Sequence, residues 1–161
     1  MKRIENKNWH TASGYQIDFK DILREIEDYV KYGGKIFVGT DSQIKGDAVI
    51  FASTICLHGN VSNKKYATYF FNKTRLDRSE NQELQKRIMQ EVQLSIDLTL
   101  LLIERYPSAV VETHVDVGTT SRSKTRKYVD MINGWLLGMG IGCKMKPDSW
   151  ASSAVADHHT K

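Results

Sequence analysis

Three strand-like runs separated by short turn signals constrain this chain more than any other feature. They lie at 35–40, 48–57 and 65–72, with turns centred on Lys45-Gly46-Asp47 and His58-Gly59-Asn60, and the third run is rich in aromatics. Connections this short can only close antiparallel hairpins, so the middle of any sheet here is a three-stranded meander. The first run ends in "FVGTDSQ", Phe37 to Gln43, where an apolar strand meets the carboxylate of Asp41. An isolated Asp in that position is most often a turn former that bonds its own backbone. A chemical role for Asp41 therefore needs partners elsewhere.

Helical periodicity takes over on both sides of the meander. Asp18 can cap a helix over 19–32, with Ile22, Ile26 and Val30 four residues apart and Gly33-Gly34 to stop it. A long helix is predicted over 79–105, opened by Ser79-Glu80-Asn81-Gln82 in a capping-box pattern and closed before Pro107. A fourth strand at 109–117 follows; because a helix leads to it, it pairs in parallel with a neighbour. A helix at 122–139, a short strand at 141–145 and a helix from Trp150 to Lys161 complete the order β-β-β-α-β-α-β-α behind an N-terminal helix. That order predicts an α/β fold: a mixed five-stranded sheet flanked by helices, with one extra N-terminal helix. The 161 residues fit one domain, with 1–34 as an N-terminal extension and helix and 35–161 as the core.

Composition narrows the partners. Hydrophobic residues at 40% and charged residues at 26% are ordinary for a soluble globular chain. No apolar run approaches the roughly 18 residues a membrane helix needs, and "MKRIENKNWH" has no apolar core for a secretory signal. A cytoplasmic protein without membrane contact is expected. Cys56 and Cys143 lack zinc spacing and read as buried free thiols. The net charge of +4 favours an anionic partner, nucleic acid first.

The partners Asp41 needs are carboxylates. In "VVETHVDVG", Val111, Thr113, Val115 and Val117 face one side, while Glu112, His114 and Asp116 face the other. Asp116 thus repeats the Asp41 pattern near a strand end. If the first and fourth strands are parallel neighbours, the two acids repel unless a cation lies between them, and hard divalent cations choose oxygen ligands. In the long helix, Leu84, Ile88, Ser95, Leu98 and Leu102 form a stripe that also contains Glu91, an expensive position for an acid without a partner. Arg87, one turn earlier, is an alternative partner, and Glu83 is the reserve acid nearer the helix start. The last helix offers Asp157 on the face of Trp150 and Ala154, with His158 and His159 behind it. Those histidines, together with His114, are auxiliary candidates for orienting water, protonating a leaving group or touching phosphate. "TTSRSKTRK" places Arg122, Lys124, Arg126 and Lys127 at a predicted helix start just after Asp116, where phosphate would be attracted.

Acids on the first strand, the long helix, the fourth strand and the last helix, in this element order, resemble the ribonuclease H-like superfamily. More narrowly, "FVGTDSQ", "HVDVG" and "KPDSWASSAVADHHTK" resemble the YkuK-type family of small ribonuclease H-like proteins of bacteria and phages. The resemblance runs from about Trp9 to Lys161. It implies a metal-dependent nuclease in which Asp41, Asp116, Glu91 and Asp157 hold two Mg²⁺ or Mn²⁺ ions about 4 Å apart for phosphodiester hydrolysis. The family's helix acid lies near its helix start, which keeps Glu83 beside Glu91 as its counterpart. RNA or an RNA/DNA hybrid is favoured over duplex DNA, and structured DNA is also a candidate. Ser42 and Gln43 become candidates for contacts to Asp41's neighbours or to substrate. The same fold can also serve as a non-catalytic nucleic-acid-binding or protein-interaction module.

Overall fold

The three predicted strand runs form the centre of the sheet, and each is longer than its apolar stretch. In the computed structural model, which describes residues 3–161, they are β3 (Ile36–Lys45), β4 (Ala48–Val61) and β5 (Lys64–Asp77), all antiparallel. Gly46 takes φ +60° in the first turn. The second turn is Ser62-Asn63, both left-handed at φ 49° and 63°, which matches the twist of a tight hairpin. The turn expected at His58-Gly59-Asn60 is therefore misplaced: those residues continue β4, paired with Ala67, Tyr66 and Lys65.

Among the described residues the sheet has seven strands, in the order β2-β1-β5-β4-β3-β6-β7, where five are expected. The additional pair, β1 (Trp9–Thr11) and β2 (Gln16–Ile17), comes from the N-terminal extension and adds to the outer edge of β5. Strands of three and two residues are too short to display alternation. Their anchor is Trp9, which is fully buried and tilted against Phe19. On the other side, β6 (Val111–Val115) runs parallel to β3, as predicted, and β7 (Gly142–Lys144) runs parallel to β6.

One face of this sheet carries α1 (Phe19–Lys31), α3 (Leu84–Arg105) and α4 (Val129–Gly138). Phe19, Ile22, Ile26 and Tyr29 of α1 pack with Ile36, Val38, Leu98 and Leu102. Ile88, Val92 and Ile96 of α3 pack with Val115, Val117 and Ile132. Each fully buried aliphatic or aromatic side chain of this kind contributes about 1.5–3 kcal/mol. Polar residues within the α3 stripe are satisfied across the interface. Ser95 donates to Thr40 at 2.9 Å, Thr40 and Ser53 share a bond at 3.0 Å, and Thr99 meets Thr113 at 2.8 Å.

The predicted 79–105 helix is two helices. Asp77, rather than Ser79, is the first cap: its carboxylate accepts from the Ser79 amide at 2.7 Å and starts the single turn α2 (Arg78–Asn81). Glu83 then returns to an extended conformation before α3 begins, so the apolar stripe starts at Ile88 and Leu84 is exposed. The predicted 122–139 helix also starts later. Hydroxyls at Ser123 and Thr125 bond each other and the Thr125 and Gly118 amides, holding the segment in turns until a 3₁₀ turn at Arg126–Tyr128.

Among the described residues, the opposite face carries one element, the C-terminal helix. It is a π-helix over Ala151–Ala156 that passes into the short α5 (Asp157–Thr160). It lies directly on β3 because of Gly39. A β-carbon there would fall 2.5 Å from the Ala151 carbonyl carbon and the Ser152 nitrogen. Only a residue without a side chain permits that approach.

Candidate active site

Asp41 does not end its strand. β3 continues four residues beyond it, and Asp41 is paired with Ala52 in the middle of the β3–β4 ladder. What ends there is the parallel partner. The last β3–β6 pair is Thr40 with Val115, and Asp41 and Asp116 each come one residue later. The two acids therefore stand side by side where a parallel pair terminates, the position at which open α/β sheets bind ligands.

Strand alternation sorts the other groups onto two faces. Thr40 and Ser42 point to α3: Ser95 bonds the first, and Ser42 donates to Glu91 Oε1 at 2.5 Å. Gly39 and Asp41 point to the C-terminal helix, and Thr160 donates to Asp41 Oδ2 at 2.8 Å. Glu91 thus approaches the end of the parallel pair from one layer, and Asp157 approaches from the other. Among the described residues, no three His, Cys, Asp or Glu side chains lie close enough together to form a ready-made metal cage. Asp41 and Glu91 nevertheless sense acids around them. Burial, followed by the Asp116 and Asp157 charges, pushes Asp41 up to about 6 against the Thr160 bond. Burial also pushes Glu91 up to about 8, with Asp41 and Asp116 adding to the effect.

Two lysines partly offset this charge. Lys161 Nζ lies 2.5 Å from Asp157 Oδ2, and Lys146 Nζ lies 2.8 Å from Asp116 Oδ1. The buried Asp116 Oδ1 thus faces the Lys146 ammonium as an ion pair and accepts no hydrogen bond from another group among the described residues. Arg87 favours the charged form of Glu91 from nearby but forms no ion pair with it among the described residues, and its own Nε is buried without a partner.

Several candidates lie elsewhere. Glu83 is exposed at the start of α3. His114 is fully buried and serves the helix: its Nδ1 accepts the Ala151 amide at 3.0 Å and its Nε2 meets Glu112 Oε1 at 3.0 Å. Burial lowers its pKa, so the neutral ring is a positioning group and not a proton donor to substrate. His159 packs away from the acids on Phe71 and bonds the Tyr69 hydroxyl, whereas His158 is exposed. Gln43 points the same way as Asp41 and is exposed. Arg122, Lys124, Arg126 and Lys127 are all exposed, but Arg122 and Lys124 lie in turns well before α4, so no helix terminus reinforces them. Cys56 is buried, as expected, and Cys143 is only half-buried. Thr160 is a site contact without a signal in the sequence.

A sheet that pairs an antiparallel meander with parallel outer strands, and brings Asp41 and Asp116 to the end of its central parallel pair, has the ribonuclease H-like architecture. The ribonuclease H-like family model matches residues 18–161, and the chain belongs to that family. It is similar to the protein named "Uncharacterized protein YkuK" of Bacillus subtilis (strain 168), at 25% identity over 168 residues covering 95% of this chain and 96% of that one. No solved structure matches it significantly. Family membership points to nuclease-type chemistry and nucleic-acid binding.

The two raised carboxyls carry a consequence for stability. Both groups hold protons in the folded state that the unfolded chain has already released, so folding is favoured at low pH and loses that contribution as pH climbs through their folded values. In chelator, the urea midpoint is expected to fall between about pH 5 and about pH 8 by more in the wild type than in Glu91→Gln. Equal slopes for the two proteins would show that Glu91 is not the buried proton holder.

Proposed function

We propose that this chain is a metal-dependent phosphodiester hydrolase that cuts RNA, an RNA/DNA hybrid or structured DNA. The observation that carries this reading is the meeting of Asp41 and Asp116 at the end of the β3–β6 pair, within electrostatic reach of Glu91. The residues fit Mg²⁺ or Mn²⁺: the donors are all carboxylate oxygens, the two most buried are driven toward protonation by burial and then by the neighbouring acids, and the buried Asp116 Oδ1 has a cation, the Lys146 ammonium, 2.8 Å away. Asp41 and Asp116 would anchor two ions, with Glu91 and Asp157 completing the set. Bound there, such ions supply an activated water and neutralise charge on the leaving oxygen. Thr160 and Ser42 fix the rotamers of Asp41 and Glu91, one from each layer. Lys146 and Lys161 balance Asp116 and Asp157, and they are positioned to move to substrate phosphates when cations take over those acids.

A panel of single-stranded RNA, duplex RNA, hybrid and branched DNA, each with Mg²⁺ or Mn²⁺, tests the activity. Cleavage of at least one substrate, lost in chelator, is expected. Glu91→Gln should lower that cleavage by about a hundredfold or more, while Glu83→Gln leaves it unchanged. The reverse pattern would move the helix acid to Glu83.

A second reading, nucleic-acid binding without turnover, is favoured by the two lysines that already hold Asp116 and Asp157. A Mn²⁺-dependent rise in melting temperature separates the two. The hydrolase reading requires it, whereas RNA binding with no metal response and no cutting would establish the module.

A further inference from the structure

On the face of the sheet that carries Asp41, a recess of about 310 Å³ opens beside the C-terminal helix, lined by Asn8, His10, Phe71 and Lys73. Its walls are stacked rings. His10 lies over Phe71 with centroids 5.3 Å apart and planes 22° off parallel, and His159 covers the adjoining part of Phe71 at 3.6 Å and 12°. The Lys73 ammonium stands 6.0 Å from the Phe71 ring centre, and Lys73 and Asn8 are exposed at the mouth. Strand register ties this recess to the acids. Lys73 pairs with Ala52, and Ala52 pairs with Asp41, so the three share one face across neighbouring strands. Two strand spacings place Lys73 roughly 10 Å from Asp41. Ala52, between them, presents only a methyl group, and His159 sits two residues after Asp157.

We propose that this recess seats an unpaired nucleobase of the substrate, which makes a single-stranded segment beside the cut phosphate the class of nucleic acid this site takes. The proposal rests on the hydrolase reading for the cut, but not for the binding. The half-buried His10 imidazole, backed by the buried Phe71 ring, suits a π-face of any base, Asn8 offers both donor and acceptor to its edge, and Lys73 meets the phosphate on the way to the acids. A duplex keeps its bases stacked on one another and has none to offer to a pocket set into the sheet face. The chemistry is sequence-tolerant, because every base has a π-face but the recess holds few groups to read its edge.

The test is anisotropy of a labelled oligouridylate of about a dozen nucleotides, in chelator so that nothing is cut, against an RNA duplex of equal length. Tighter binding of the single strand is expected. His10→Ala and Lys73→Ala should each weaken it about fivefold or more, with little change for the duplex. Lys73 is exposed, so its variant cannot fail through folding. Abasic substitution at the seated position should cost as much as His10→Ala, and the two together no more than either alone, a coupling that a merely structural role for His10 would not produce. Equal affinity for strand and duplex, or unchanged binding in both variants, overturns the proposal even if duplex RNA is cleaved. Conversely, strand binding lost in both variants with no cleavage of any substrate upholds the recess and removes the hydrolase reading.

Discussion

Asp41→Asn is expected to abolish cleavage while leaving the fold intact and slightly stabilised. The residue is 9% exposed, is held by Thr160, and lies within electrostatic reach of Asp116, Asp157 and Glu91. Asn keeps the size and the Thr160 hydrogen bond but removes one anionic oxygen donor, and loss of a metal anchor costs several kcal/mol of transition-state stabilisation, or about three powers of ten in rate. The same change removes a buried charge that its surroundings disfavour. In chelator near neutral pH the variant should therefore be more stable than wild type, on the order of 2 kcal/mol. Urea titration and a cleavage assay read the two effects separately. Wild-type cutting by the variant would dismiss the site, and a destabilised variant would mean that Asp41 is held by a contact other than Thr160.

Gly39→Ala is expected to be the most damaging single substitution at this end of the sheet, although it adds one carbon. That carbon meets backbone rather than a flexible side chain, so the π-helix must lift off β3 as a unit. Overpacking of this kind costs roughly 3 kcal/mol. The lift carries Thr160 away from Asp41 and moves Asp157, so cleavage should fall with stability. Lowering temperature to restore the fold should not restore the rate. Gly142→Ala is the matched control, since nothing lies within 4 Å of a β-carbon there and the fold should tolerate it. An unaltered urea midpoint in Gly39→Ala would mean that the helix is not seated on β3.

The elements legible in the sequence are those whose signal is periodic and long. The three meander strands, the parallel β6 and the α3 stripe all follow from spacing, and Asp116 and Glu91 are conspicuous because an acid interrupts an apolar pattern. What escapes is set by single hydrogen bonds or by partners far along the chain. Asp77 takes the cap from Ser79 and splits the long helix, and the hydroxyls of Ser123 and Thr125 delay α4. β1 and β2 exist because Trp9 is buried against another element, which no local pattern reports. β3 runs past its apolar stretch because polar residues after Thr40 still pair with β4. At the site, Thr160 reaches Asp41 across 119 positions of sequence, and Lys146 and Lys161 meet their acids only through the fold.

The π-wound stretch at Ala151–Ala156 has a genetic implication. A π turn is, in effect, an α-helix with one residue too many. Deleting one exposed residue within it, Ala154, would let the segment relax to ordinary winding without losing its contact with Gly39. Everything downstream would then keep its bearing, because the extra residue is taken up inside the bulge, and Asp157, His159 and Thr160 would still face the sheet. A one-codon deletion here is therefore expected to spare fold and site alike, whereas the same deletion in the regular winding of α3 would turn every later side chain of that helix by about 100°.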